Sequence, residues 1–236
     1  MKTLIIIPAH NEEESLPKLL EEVRQAGYDA VVVNDASSDA TELLAKAAGF
    51  PVLSLPVNLG IGGGVQSGFV YAVRNGYDIV VQVDGDGQHD PGQISKVIGP
   101  IVAGETDCVI GSRYMPAAPD TGYETPFARR IGMYFSAGIL HLATGLHIYD
   151  TTSGFRALNR TAFSFFATEY PVDHPEAEAL FLLHQAGFRI QEVPVRMRCR
   201  IGGQSLFTFF NAMIYPLRLI IGFMGILYKK PRRKNI

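Results

Sequence analysis

The chain has 236 residues, 47% hydrophobic and 19% charged, a length that suits one globular domain with room for an appendage and an apolar content that excludes disorder. Cys108 and Cys199 are its only thiols, which excludes a disulfide scaffold and zinc-type spacing and suits a reducing cytosol. The formal net charge of −2 hides a split, because from Phe188 onward ten Lys/Arg meet one acid, Glu192, against eleven bases and 22 acids before it; a basic surface facing phosphates, nucleic acid or a membrane is expected.

The opening MKTLIIIPAHNEEE has too short an apolar run for a signal peptide, so export by that route is not expected. Residues 3–8 read as a strand, and 13–26 as a helix with Leu16, Leu19, Leu20 and Val23 on one face. A strand over 29–33 ends in Asn34-Asp35, and a helix over 41–48 follows the turn Ser37-Ser38-Asp39. A third strand is expected at 52–55, then a glycine-rich turn at 58–64 and a helix at 65–74. Residues 78–83 form a fourth strand that stops at Asp84; a helix at 91–102 and a strand at 107–111 come next. Residues 115–126 hold Pro116, Pro119 and Pro126 and read as a loop, and a helix over 127–142 opens with Arg129-Arg130. Extended segments are expected at 151–158 and 189–199, with a helix near 176–185 between them.

Short apolar strands joined by helices predict an α/β fold whose mostly parallel sheet is covered on both faces. Ligands of such sheets bind beyond the carboxyl ends of the strands. Asn11-Glu12, Asn34-Asp35 and Asp84-Gly85-Asp86 each follow a strand, so all three should line one crevice. Asp84 and Asp86, with Gln88 as a neutral oxygen ligand, can share a hard divalent cation. The run is not an EF-hand: His89 stands where that loop needs glycine and Ser95 where it needs a bidentate Glu. Alone, Asp84–Gln88 would read as a polar turn; its place after a strand, level with the other polar clusters, favours a site. Gly60-Ile61-Gly62-Gly63-Gly64 lacks the dinucleotide spacing, with Val65 and Ser67 where the last glycine would fall; a tight loop that lets backbone approach a ligand and a helix N-terminus that packs closely are the two readings left.

Ile7-Pro8-Ala9-His10-Asn11-Glu12, Asn34–Asp39, the Asp84/Asp86 pair, Gly111-Ser112-Arg113-Tyr114, Asp150–Arg156, and Arg200 followed by Gly203-Gln204-Ser205 stand in an order that resembles family 2 glycosyltransferases of the GT-A fold. The motifs look most like the dolichyl- or polyprenyl-phosphate sugar synthase branch, across roughly residues 3 to 205. The resemblance implies an inverting transfer from a UDP- or GDP-sugar donor to a polyprenyl phosphate. It implies that Pro8, Asn11 and Glu12 border the nucleotide, that Asp35 bonds the base, and that Asp84, Asp86 and Gln88 hold Mg²⁺ or Mn²⁺ against the diphosphate. Asp86, Arg113 and Asp150 are then expected at the reacting centre. Arg113 with Arg129 or Arg130 would grip the acceptor phosphate, and Arg200 and Ser205 would close over the donor. Relatives commonly carry Lys after that Ser, where this chain has Leu206. An acceptor phosphate is already an anion and needs positioning more than a base. A saccharide hydroxyl acceptor would need a base, with Asp150, Glu176 and Glu178 as candidates, each equally able to cap a helix or pair with Arg. His89, His174 and His184 read as structural.

Residues 207–228 are long enough to cross a bilayer, but Arg218 near the middle would cost roughly 2.5–3.5 kcal/mol there. Thr208, Asn211, Tyr215, Arg218, Gly222, Gly225 and Lys229 project onto one helical stripe. The expected organisation is therefore a catalytic domain over 1–205 and, over 206–236, an amphipathic helix at a membrane surface with the basic end Lys229–Lys234. A terminal helix packed on the body, a partner copy making a homo-oligomer, and a single crossing remain the alternatives. The expected location is peripheral, at the inner, cytoplasmic face of the cell membrane. A nucleic-acid partner is not expected, since the body is acidic and the tail lacks a stacking platform. A non-catalytic nucleotide-sugar-binding scaffold is the reading of another class; it has no need to keep all three oxygen ligands.

Overall fold

Successive residues of a strand face opposite sides of the sheet, so a strand covered on both sides reads as an unbroken apolar run. TLIIIPA forms such a strand, β1 (Thr3–Ala9), with every residue buried. The structure, a computed structural model, describes residues 1–118, 127–171, 176–198 and 221–226. Around β1 lie β2 (Asp29–Asn34), β3 (Val52–Ser54), β4 (Ile79–Gln82), β5 (Cys108–Ser112), β6 (Arg156–Asn159) and β7 (Ile190–Pro194), in the sheet order β3-β2-β1-β4-β6-β5-β7. Neighbours run parallel except at β6, which lies antiparallel between β4 and β5.

Among the described residues the sheet is covered by α1 (Leu16–Ala26), α2 (Thr41–Ala47), α3 (Gly60–Arg74), α4 (Ile94–Val102), α5 (Phe127–Thr144), α6 (Arg160–Glu169) and α7 (Ala177–Gln185). One face of β1 and β2, through Ile5, Ile7 and Val32, packs with Leu16, Leu19, Leu20 and Val23 of α1 and Ile94 and Val97 of α4. The other face, through Leu4, Ile6, Val31 and Val33, packs with Phe69 of α3, Phe163 and Phe166 of α6, and Phe181 of α7. The helical segment 221–226 adds Phe223 and Ile226 to that second cluster, with the Phe223 ring stacked on Phe181 at 4.6 Å. Its Ile221 and Met224 point outward, 60% and 63% exposed.

Two departures from the sequence reading have local causes. The glycine-rich run after β3 is the first turn of α3, which begins at Gly60, five residues before the expected start. Small residues let this helix lie close to β1: a Cβ at Gly68 would stand 2.3 Å from Ile6 Cγ2. Where one extended segment was expected over 151–158, the strand is only the four residues of β6, and α6 follows it without a break. Asn159 makes that junction, since its side-chain oxygen accepts the Ala162 N–H at 2.9 Å and so caps α6.

Register decides what meets at the carboxyl edge. Ala9 pairs with Asn34 and Ile6 with Gln82, so the segments leaving β1, β2 and β4 emerge side by side. Because β6 is antiparallel, its first residue, Arg156, pairs with Gln82, and the segment 150–155 reaches the same edge from the other direction. Ser112 pairs with Pro194, which brings Arg113 there as well.

Candidate active site

The turn after β4 is held by its own residues. Asp84 donates its N–H to His89 Nδ1 at 2.9 Å and accepts from Gln82 Nε2 on Oδ1 at 2.9 Å. Asp86 Oδ1 accepts the Gln88 N–H at 3.0 Å. The turn is stitched to β1, since Gly85 donates its N–H to Pro8 O at 3.2 Å. Ser15 Oγ, with Glu12 Oε2 at 2.9 Å and Gly85 O at 2.8 Å, ties the Glu12 loop to the same turn.

Opposite Asp84 stands Gly154, where a Cβ would lie 2.6 Å from Asp84 Oδ2. The Asp84 carboxylate and the Gln82 amide occupy the space a side chain there would need. Among the described residues no group of three or more His, Cys, Asp or Glu could enclose a metal ion. Asp84, Asp86 and Gln88 could supply an open, all-oxygen set of two carboxylates and one amide oxygen instead. Such a set fits Mg²⁺ or Mn²⁺, which keep waters and take phosphate oxygens as further ligands.

The ends of β1 and β2 form the neighbouring wall. Asp35, 5% exposed, donates its N–H to Ala9 O at 2.9 Å and accepts the Leu59 N–H on Oδ1 at 2.7 Å, at the start of α3. Asn11, with a positive φ of 54°, accepts the Ser38 N–H on Oδ1 at 2.8 Å and donates its own N–H to Ser37 Oγ at 3.0 Å. The left-handed region tolerates Asn better than most side chains. His10 Nδ1 donates to Asp35 O at 2.8 Å.

A second centre lies at the end of β5. Arg113 binds Asp150 in bidentate fashion, Nε to Oδ2 at 2.7 Å and Nη2 to Oδ1 at 2.9 Å, and Nη2 also reaches Thr152 Oγ1 at 2.9 Å. The two side chains are 8% and 0% exposed. Burial alone would raise the Asp150 carboxyl, but the Arg113 guanidinium holds it below its ordinary value. Behind this pair, Glu192 on β7 accepts the N–H groups of Tyr149 at 2.7 Å and Asp150 at 2.8 Å. Burial pushes the Glu192 carboxyl up in spite of those two donors. The two centres are joined through the 150–155 segment, since Ser153 Oγ donates to Gly111 O at 2.6 Å and Gly111 N–H to Phe155 O at 2.8 Å.

The carboxyl edge thus brings together Pro8, Asn11, Glu12, Asp35, Asp84, Asp86, Gln88, Arg113 and Asp150. Arg130 is exposed on the first turn of α5, its guanidinium 6.0 Å from the Tyr134 ring centre. The Arg129 side chain, Arg200 and Ser205 lie outside the described residues. Glu176 precedes α7 and its carbonyl accepts from Arg156 Nη2 at 2.9 Å, whereas Glu178 lies against Gly222 of the segment 221–226. Sequence reasoning gave no individual role to Gln82, Arg198, or the Gly154 and Arg156 of the run Asp150–Arg156. Gln82 and Arg156 each carried a signal, a polar residue inside an apolar strand pattern; both are 4–5% exposed, and Arg156 Nε donates to Ser153 O at 2.8 Å. Arg198 gave none, because its partners Glu22 at 2.6 Å and Asp90 at 2.8 Å are far away in sequence.

Comparison with known proteins adds a family to this geometry. The family model for glycosyl transferase family 2 matches residues 4–165. The undecaprenyl-phosphate mannosyltransferase of Micrococcus luteus is 34% identical over 215 residues, 87% of each chain. The polyprenol monophosphomannose synthase of Mycolicibacterium smegmatis is 33% identical over 89% of this chain and 82% of its own. Among solved structures, glucosyl-3-phosphoglycerate synthase from Mycobacterium tuberculosis, in complex with Mg²⁺ and UDP, superposes with a TM-score of 0.74 at 18% identity, over 95% of this chain and 79% of that one. That likeness carries the GT-A fold.

Proposed function

The chain belongs to glycosyl transferase family 2, and from that premise we propose that it moves a sugar, with inversion, from a nucleoside-diphosphate donor to a polyprenyl phosphate. The observation that carries the acceptor is the likeness, along most of both chains, to proteins named for undecaprenyl phosphate and polyprenol monophosphomannose. In this reaction an acceptor phosphate oxygen bonds to the anomeric carbon as that carbon's bond to the donor diphosphate breaks, and the diphosphate leaves with the electron pair. An anionic nucleophile needs orientation and no proton acceptor. The site supports that choice, because Asp150 has both oxygens taken by Arg113 and is poorly placed to serve a hydroxyl as base.

Pro8, Asn11 and Glu12 would border the nucleotide, and Asp35 would offer Oδ2 to a base N–H. Asp84, Asp86 and Gln88 would hold the cation, which when bound neutralises charge building on the leaving diphosphate. Arg113, fixed by Asp150, would form the wall of the acceptor-phosphate site together with Arg129 or Arg130. Arg200 and Ser205 would close over the donor. The test is transfer from labelled UDP-glucose, UDP-N-acetylglucosamine and GDP-mannose, with Mg²⁺ or Mn²⁺, with and without undecaprenyl phosphate. Label should enter the organic phase only when lipid and metal are both present. Donor hydrolysis without lipid product would move the acceptor to a saccharide, and no turnover with any donor would favour the scaffold reading.

A lipid acceptor places the enzyme at a membrane, and we assign that contact to residues 206–236, appended to the catalytic domain 1–205. No helix among the described residues is long and apolar enough to cross a bilayer. Ile221 and Met224 face outward while Phe223 and Ile226 hold the segment to the body, and each Lys or Arg in the run Lys229–Lys234 adds about 1 kcal/mol near an anionic leaflet. Ile221→Asp/Met224→Asp should therefore lose co-sedimentation with phosphatidylglycerol vesicles at unchanged thermal stability. Undiminished co-sedimentation would remove these two residues from the contact.

A further inference from the structure

His89 follows Gln88 directly, is 3% exposed, and has no part in the reading above. Its Nδ1 accepts the Asp84 N–H at 2.9 Å. A backbone N–H can only donate, so the neutral ring carries its proton on Nε2. Nε2 stands 3.7 Å from Asp84 Oδ2. Both nitrogens of one buried imidazole therefore face one aspartate. The ring cannot turn away, because it stacks on Phe155 with centres 5.1 Å apart and planes inclined by 16°. Its main chain is fixed too, in an antiparallel bridge with Met197, while Arg198 donates its N–H to Gln88 O at 2.9 Å. Gln82 Nε2 donates to Asp84 Oδ1 at 2.9 Å, which leaves Oδ2 as the carboxylate oxygen beside the His89 ring.

A buried histidine with a purely packing role needs hydrogen-bond partners of some kind, and any carbonyl or hydroxyl nearby would serve. Here the hydrogen-bond partner is the main chain of the residue that opens the cation-binding turn, and the carboxylate of that same residue lies 3.7 Å from the other ring nitrogen. We propose that His89 is a positioning residue, which fixes the Asp84 backbone and aims its carboxylate at the divalent cation. The inference rests on Asp84 being a metal ligand. Partners that orient a ligand in this way typically change metal affinity by about 10–100-fold when lost.

The experiment compares Mn²⁺ binding, read from the EPR signal of the free ion in the presence of UDP, for the full chain and for His89→Phe, His89→Asn and His89→Gln. Phe keeps the stack on Phe155 and removes both nitrogens; it should weaken Mn²⁺ binding by about 10–100-fold, with UDP affinity in EDTA unchanged. Asn can set an amide oxygen where Nδ1 stands and should recover most of that loss. Gln extends its amide to the Nε2 position and should recover little. Equal Mn²⁺ affinity in wild type and His89→Phe would overturn the role, as would Asn and Gln variants that bind equally. The Asn–Gln comparison decides alone if His89→Phe does not fold. A wild-type protein that binds UDP and no Mn²⁺ would overturn the metal reading of Asp84 itself, an outcome distinct from unequal variants of a metal-binding enzyme.

Discussion

Asp86→Ala is expected to lower turnover by about a thousand-fold, the equivalent of roughly 4 kcal/mol of charge stabilisation lost with the cation. The fold should hardly notice. Among what the substitution removes is the acceptor of the Gln88 N–H at 3.0 Å, a bond worth about 1 kcal/mol, or about 2–4 °C of Tm in a chain of this size. A large loss of rate beside a small loss of stability separates a ligand from a structural carboxylate. Transfer rates at saturating Mn²⁺ and a thermal melt of the same preparation make the comparison. Wild-type turnover that survives EDTA, or a variant that retains its rate, would end the assignment of Asp84, Asp86 and Gln88 to a metal.

The pieces of this site differ in how far the sequence exposes them. Asn11, Asp35 and Asp84 could be placed at one edge from pattern alone, because an apolar run followed by Asn or Asp marks a strand's end, and parallel strands put those ends together. The antiparallel β6 was hidden by its length. Four residues, RALN, give no periodicity, and the α6 helix begins at the next residue. Reading Asn159 as a cap would have found α6, since Asn before a helix accepts the N–H three residues on. Gly154 shows a deeper limit. Its meaning depends on Asp84, 70 positions away, whose carboxylate fills the space a side chain would need. The glycines of α3 were ambiguous for a related reason: propensity is local and left a loop and a closely packed helix start equally open, and the close approach to Ile6 decides for the helix. Distances in space, and not residue types, decide these positions.

Asp150→Ala should destabilise the protein by about 3–5 kcal/mol, because it leaves the Arg113 guanidinium buried without its partner. That is a large share of the roughly 5–15 kcal/mol that holds a domain folded. The pH dependence has a definite sign. Asp150 has a folded value below its ordinary 3.8, so its contribution is present above that ordinary value and is lost as pH falls through the folded one. Wild type and variant should therefore differ by a constant amount near neutral pH and converge only below about pH 4. Urea melts at pH 7 and in acid check this, and a difference that vanished near pH 7 would refute the buried pair. Stability alone does not tell whether Arg113 also serves the acceptor. Arg113→Met/Asp150→Leu removes both charges, and apolar replacement of a buried pair is often neutral or better for stability. If Arg113 forms the acceptor-phosphate wall, the double variant should fold, bind the donor, and show a raised KM for polyprenyl phosphate with transfer reduced. Normal transfer by a stable double variant would make the pair a brace for the 150–155 segment and leave the phosphate to Arg129 and Arg130. The pair has the geometry for either role. Asp150 neutralises most of the charge that Arg113 could offer a phosphate, yet a guanidinium already fixed in place loses little entropy when the phosphate arrives.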